Sequence, residues 1–410
     1  MYTDNVPITV YPFTRQDQGN EIIIGNPQTG VFLAVPPEAV EVLEALADGR
    51  SIREASALYE QKYGETADIR EFVELLRSKG MVEFAGEEKL TSNETVPTAR
   101  ANRRYHFTGF PQGLAKMLFG KLALSAYLIL PVVAISAILH NPSIAPGPRD
   151  LFFPDHRALT WSLLVLYSLA SVFIHEFAHL IAACAKGVNS RIGISTRLWD
   201  LVAETDLTGL WALPKQQRYL PILAGILIDS ASVSVLILVC FAQQTDVIAL
   251  SSFSFRLVRA LAFIYLMRIA WEFYLFMRTD LYFVVATIFN CKSLLSDTEN
   301  FLRNQLARFF SSVRTIDQSV IPDREMRVIR AYGWVWIAGR VWAVTTFLWV
   351  TVPLCVGYTR NVAAALKTGY AADPANFLDA VALAAYFLLP TALGLVLWSR
   401  SFMVHERKRI

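Results

Sequence analysis

From Met117 onward the chain alternates between long apolar runs and short polar connectors. The runs are Met117–Leu139, Leu159–Ala182, Leu220–Phe241, Leu257–Met277, Val335–Val356 and Leu378–Trp398. Each has the roughly 20 residues that a helix needs to cross about 30 Å of hydrocarbon. The pattern predicts a multi-pass α-helical membrane protein of about six spans. Residues 1–86 follow another rule. EIIIGN (Glu21–Asn26) and GVFLAV (Gly30–Val35) have the composition of strands, joined by a Pro-Gln-Thr turn. PPEAVEVLEALADG follows as a helix with proline at its start and Gly49 at its stop. SIREASALYEQKYG opens with Ser51 and Glu54, a capping box, and DIREFVELLRSKG repeats the plan from Asp68 to Gly80. MVEFAG ends the region as a short strand or wing. Two strands, three helices and a wing predict a small α+β, winged-helix-like domain. Residues 87–113 form a linker and membrane-surface segment, 114–400 the membrane domain, and 401–410 a basic tail.

Composition sharpens this division. The chain has 410 residues, 54% hydrophobic and only 18% charged, against about a quarter charged in soluble domains. A net charge of +3 is too small to argue for nucleic acid. The N-terminal stretch MYTDNVPITVYPFTRQDQGN has no apolar core of the signal-peptide type. Cys184, Cys240, Cys291 and Cys355 lie in or beside apolar runs at no metal-binding or disulfide spacing, so core positions are expected.

Charge placement sets an expected orientation. Arg100, Arg103, Arg104, Lys116 and Lys121 flank the first run, whereas the connector after it has only Arg149 and Arg157. The connector after the second run has Lys186, Arg191, Arg197, Lys215 and Arg218; AQQTDVIALSSFS after the third has none. The segment after the fourth is basic, and so is the tail. By the positive-inside rule both termini face the cytosol, in a cell (inner, cytoplasmic) membrane. The amphipathic stretch within 296–328, with Arg303, Arg308 and Arg314, is expected on the inner leaflet rather than against a partner helix.

Within this apolar frame the stretch SVFIHEFAHLIAACAK, Ser171–Lys186, is anomalous. His175 and His179 stand at i and i+4, on one helix face, with Glu176 offset by about 100°. Polar groups inside a membrane are costly unless they are paired or bind something. HExxH on a helix is the arrangement in which two histidines hold zinc and the glutamate serves as general base. A structural His–Glu–His network is the competing explanation. A catalytic zinc takes a third protein ligand. His140 and His156 fall on the external side of the expected topology, and His106 and His405 in basic flanks, so a carboxylate is expected. Asp280, at the end of the fourth run, lies at the right depth. Asp229 and Glu272 are the other candidates, expected mostly as supporting groups, with Arg268 four residues before Glu272 as its ion-pair partner.

These residues resemble the site-2 protease family of intramembrane zinc metalloproteases, which has HExxH in one span and an aspartate in a later one. His175, Glu176 and His179 match the first motif, and Asp280 the second in part: Leu281 stands where glycine is usual, and the upstream Asn and Pro are missing. TDLYFV, with TRLWDLVAETDLTGLWALPKQQRYLPILAGILID, is similar to peptide zinc metalloproteases of bacterial peptide-modification systems. The resemblance covers about 160–295 and implies an endopeptidase with zinc on His175, His179 and Asp280 and Glu176 as catalytic base. The connector Gly187–Arg218, with the alternating GVNSRIGISTRLW, is expected either as a plain connector or as a hairpin whose edge holds an extended substrate. The N-terminal region resembles PqqD-like domains, which bind precursor peptides. That implies a precursor with a leader as partner, beside the lipid bilayer. A folding or oligomerisation module is the plainer reading of the region. Two other readings of the whole chain stand beside the peptidase: a membrane peptide-binding, export or immunity component with a structural or vestigial metal site, and a signalling protease acting on a membrane-bound regulator.

Overall fold

The computed structural model describes residues 8–17, 21–26, 31–84, 104–153, 156–197, 200–291, 293–310, 312–319 and 321–389. The turn at 27–30, most of the linker, the end of the sixth run and the tail with His405 lie outside them. The chain divides into two compact units, Met1–Phe119 with His179–Pro221, and Gly120–Ala178 with Ile222–Ile410.

In the first unit, β1 (Ile8–Val10) pairs antiparallel with β5 (Val82–Phe84), while β2 (Thr14–Asp17), β3 (Ile22–Asn26) and β4 (Val31–Val35) form an antiparallel sheet in the order β2-β3-β4. The expected strands at 21–26 and 30–35 are present. Two more precede them, and the terminal MVEFAG segment, expected as a short strand or wing, contains a strand paired with β1. The three expected helices are α1 (Pro37–Ala47), α2 (Ile52–Tyr63) and α3 (Ile69–Ser78). Ser51 and Glu54 form the capping box, and Gly64 closes α2 at φ 72°, a left-handed conformation that suits glycine. Ile22, Ile24, Leu43, Leu46, Val73 and Leu76 are central to the core. Residues 104–108, placed in the linker by sequence, form β6 (Arg104–Thr108), followed by the short helix α4 (Gln112–Leu118). β6 pairs with β7 (Arg191–Arg197), which pairs with β8 (Asp200–Asp206). The Gly187–Arg218 connector therefore contains a hairpin, with a tight turn at Thr208–Ala212 beyond it.

The second unit is helical. Its elements are α5 (Lys121–His140), α6 (Arg157–Ala185), α7 (Lys215–Gln244), α8 (Ser252–Glu272), α9 (Asp280–Phe289), α10 (Leu294–Ala307), α11 (Asp323–Thr346), α12 (Val352–Thr368) and α13 (Pro374–Leu389). Both α6 and α7 run on into the first unit. Among the described residues four helices are long and apolar enough to cross a membrane: Gln112–His140, Arg157–Ala185, Lys215–Gln244 and Asp323–Thr368. The last is α11 and α12 joined by a π-helical turn at Phe347–Thr351 into 46 continuous residues. The fourth expected run falls on α8, which carries Arg256, Arg259, Arg268 and Glu272 and stops short of Met277; of the sixth, the described residues include the apolar helix Pro374–Leu389, and residues 390–398 lie outside them. Nor does α10 merely rest on lipid. Leu294 and Thr298 are fully buried, and Leu294 packs with Ile329 and Tyr332 of α11. Cys184, Cys240 and Cys291 are buried as expected, but Cys355 is exposed.

Small residues let these helices approach. Ala134 and Ala137 of α5, Ala262 of α8, and Val233 and Ile237 of α7 share one cluster. Polar staples fix the ends. Asp379 of α13 accepts the backbone N–H groups of Arg157 and Ala158 at 3.0 and 2.9 Å and pairs with the Arg157 guanidinium at 2.9 Å, capping α6 from another helix.

Candidate metal centre

Two helix faces meet at the site. On α6, Ser171, His175 and His179 are spaced by four and form one row; on α7, Pro221, Gly225 and Asp229 do the same. The two rows are in register. His175 Nδ1 lies 2.8 Å from Asp229 Oδ2, and His179 Nδ1 lies 2.7 Å from the Pro221 carbonyl oxygen. A carbonyl can only accept, so His179 carries its proton on Nδ1. The Asp229 carboxylate selects the same tautomer for neutral His175. Both rings therefore present the Nε2 lone pair on their other side, as second-sphere acceptors arrange for metal-bound histidines. His175 and His179 are 7% and 2% exposed.

Gly225 fits this register through what it lacks. A Cβ there would stand 2.4 Å from both Nε2 and Cε1 of His175. No side chain fits, so the imidazole rests against the bare backbone of α7.

Asp229 is buried, at 1% exposure, and is not alone. Arg268 of α8 approaches its Oδ2 at 3.2 Å and donates to Ser171 Oγ at 2.6 Å. The circuit His175–Asp229–Arg268–Ser171 returns to α6 one turn before it began. Sequence spacing pairs Arg268 with Glu272 instead. A local i,i+4 pair is worth only about 0.2–0.5 kcal/mol, whereas a buried carboxylate left without a cation costs several, and Asp229 takes the guanidinium. Glu272 does something else: its carboxylate accepts the backbone N–H of Asp280 at 2.9 Å.

That bond marks a break in the chain direction. α8 stops at Glu272, Thr279 Oγ1 donates to the Glu272 carbonyl at 2.9 Å and accepts from Tyr282 N–H, and α9 begins at Asp280. Asp280 thus opens a new helix rather than ending a span. His175, His179 and Asp280 each offer a ligand atom within 4.8 Å of the others, the one such metal-compatible group among the described residues. Asp229 and Glu272 are not members of it. His175 Nε2 and Asp280 Oδ2 stand 3.3 Å apart. Tetrahedral zinc with bonds of 2.0–2.1 Å has ligand edges of about 3.3 Å. The donor set, the fixed tautomers and this edge all fit zinc. Glu176, between the histidines in sequence, is half-buried.

Sequence reasoning singled out Asp229 and Arg268 but had no signal for Ser171, Pro221 or Gly225. An i, i+4, i+8 row of small or carbonyl-presenting residues could have been sought opposite the histidines. In comparison with known proteins, the chain matches no family model, no curated sequence and no solved structure.

Proposed function

We propose that the chain is an intramembrane zinc endopeptidase that cleaves a peptide, or the leader of a ribosomally made and modified peptide, near the cytosolic face. The observation that carries this reading is the HExxH helix, whose two Nδ1-tethered imidazoles gather their ligand atoms with the Asp280 carboxylate. His175, His179 and Asp280 would hold the metal. When bound, zinc supplies Lewis acidity, polarising a scissile carbonyl and acidifying water at neutral pH. The protein's own work is the rest. Asp229, through Arg268, and the Pro221 carbonyl keep the imidazoles in one tautomer and orientation. Glu176 accepts the proton of the attacking water and returns it to the departing amine.

In this reading the basic flanks put both termini in the cytosol, and the N-terminal module, PqqD-like in pattern, recruits the precursor. Zinc content per chain tests the centre without a known substrate. Detergent-purified wild type should hold about one zinc, and His175→Ala and Asp280→Ala should lose it. Glu176→Gln should keep zinc and lose cleavage. A wild type that holds none while folded would leave a structural His–Asp–Arg network, and the binding or export reading would replace this one.

A further inference from the structure

The strand β3 is apolar on both faces. Ile22 and Ile24 face the core beneath α1–α3, at 3% and 0% exposure. Side chains alternate along a strand, so Ile23 faces away from that core, yet it is only 8% exposed. All three strands of its sheet contact the Thr208–Ala212 turn. The outer face of the sheet is therefore partly covered by the protein's own turn: Ile23 is shielded, while its cross-strand neighbour Ala34 stays exposed.

That turn is fastened to α7. Arg218 is 3% exposed, and burying a guanidinium is costly unless its donors are used. Here Nε donates to the Leu213 carbonyl at 2.8 Å and one terminal nitrogen to the Trp211 carbonyl at 3.1 Å, with the guanidinium 4.9 Å from the centre of the Trp211 ring. Three residues further along the same helix, Pro221 presents the carbonyl that holds His179. A sequence of direct contacts runs from the N-terminal sheet to a candidate ligand.

We propose that the N-terminal module sets the placement of His179 through this turn, with Arg218 as the positioning residue, so that a peptide partner loading or shifting the module alters the hold of the centre on its metal. The physical basis is short range: Arg218 locks the turn to the opening of α7, and the carbonyl that orients His179 sits one helical turn later. The proposal rests on the reading of His179 as a zinc ligand.

The test uses the full chain in detergent, as wild type, Ile23→Glu, Arg218→Met and Arg218→Lys. Two quantities are measured: zinc affinity by competition with a chelator, and backbone hydrogen exchange. Ile23→Glu should leave α1–α3 protected, speed exchange across 208–221 and weaken zinc about tenfold, the lower end of what lost second-sphere support costs. Arg218→Met should do the same at 208–221 and at the zinc while the module is unchanged, and Arg218→Lys should recover part of the affinity. If Ile23→Glu also exposes α1–α3, the Arg218 pair decides. Faster exchange at 208–221 with unchanged zinc affinity would reduce the contact to a tether and overturn the proposal. A wild type without zinc would sink the metal reading itself, a distinct result.

Discussion

The N-terminal module and the helical unit solve opposite packing problems. The module buries an apolar core, Leu43 and Leu46 at 0% exposure among it, and leaves the Arg15–Glu44 and Lys62–Glu41 ion pairs exposed. The helical unit does the reverse. It leaves apolar side chains exposed, Leu122 at 88% and Trp334 at 75%, and buries Arg157, Ser171, His175 and Asp229. Water drives apolar groups together in the first case. Lipid gives no such drive between helices, so small residues and satisfied polar pairs specify the contacts. The same physics that makes an interior histidine expensive makes it informative.

This contrast can be broken at either end. The largest effect is expected from a charge in the module: Leu43→Asp should cost more than about 4 kcal/mol and abolish hydrogen-exchange protection across α1–α3. Next comes Arg157→Met, which strands Asp379 and should cost about 3–5 kcal/mol, read as a lowered thermal midpoint in detergent. Gly225→Ala sharpens the contrast. It improves intrinsic helix propensity by about 1 kcal/mol, yet should weaken zinc by about 10–100-fold, because its methyl group occupies the space of the His175 ring. Retained affinity would show that the ring does not depend on α7. The smallest effect belongs to the module surface. Hydrogen bonds from Lys62 and Tyr63 hold the Glu41 carboxyl below its ordinary range. A depressed carboxyl favours the folded state above that range and loses this contribution as pH falls through it. Glu41→Gln should therefore slightly flatten the acid limb of the module's stability curve, with little change at neutral pH.

What could be read from the sequence follows the range of the interactions. The capping box of α2 and the His175–His179 pair are complete within five residues or fewer, and both were legible. Asp280 is legible only through its depth in the expected topology and a partial motif resemblance, because its partners lie about a hundred residues away. Spacing pairs Arg268 with Glu272 on its own helix, whereas its partner, Asp229, is on α7, a contact no local rule contains. β1, ITV, is only three residues long, and β2 and β6, TRQD and RYHFT, are short and largely polar, so only their pairing makes them strands. Gly225 and Pro221 carry no chemistry of their own; their value is a gap and a carbonyl, visible only against the facing helix.

The unbroken helix from Asp323 to Thr368, long and apolar enough to cross a membrane, has a consequence for any bilayer it enters. Its 46 residues make a rod of about 69 Å at 1.5 Å per residue. A tilt of about 40°, near the upper limit for spanning helices, would keep only about 39 Å of it within 30 Å of hydrocarbon. In a bilayer, the remainder would stand outside. A rod that is already helical on both sides can meet a thinner or thicker bilayer by letting a turn more or less enter water, without unwinding. Along this helix, matching to membrane thickness becomes a matter of sliding rather than refolding.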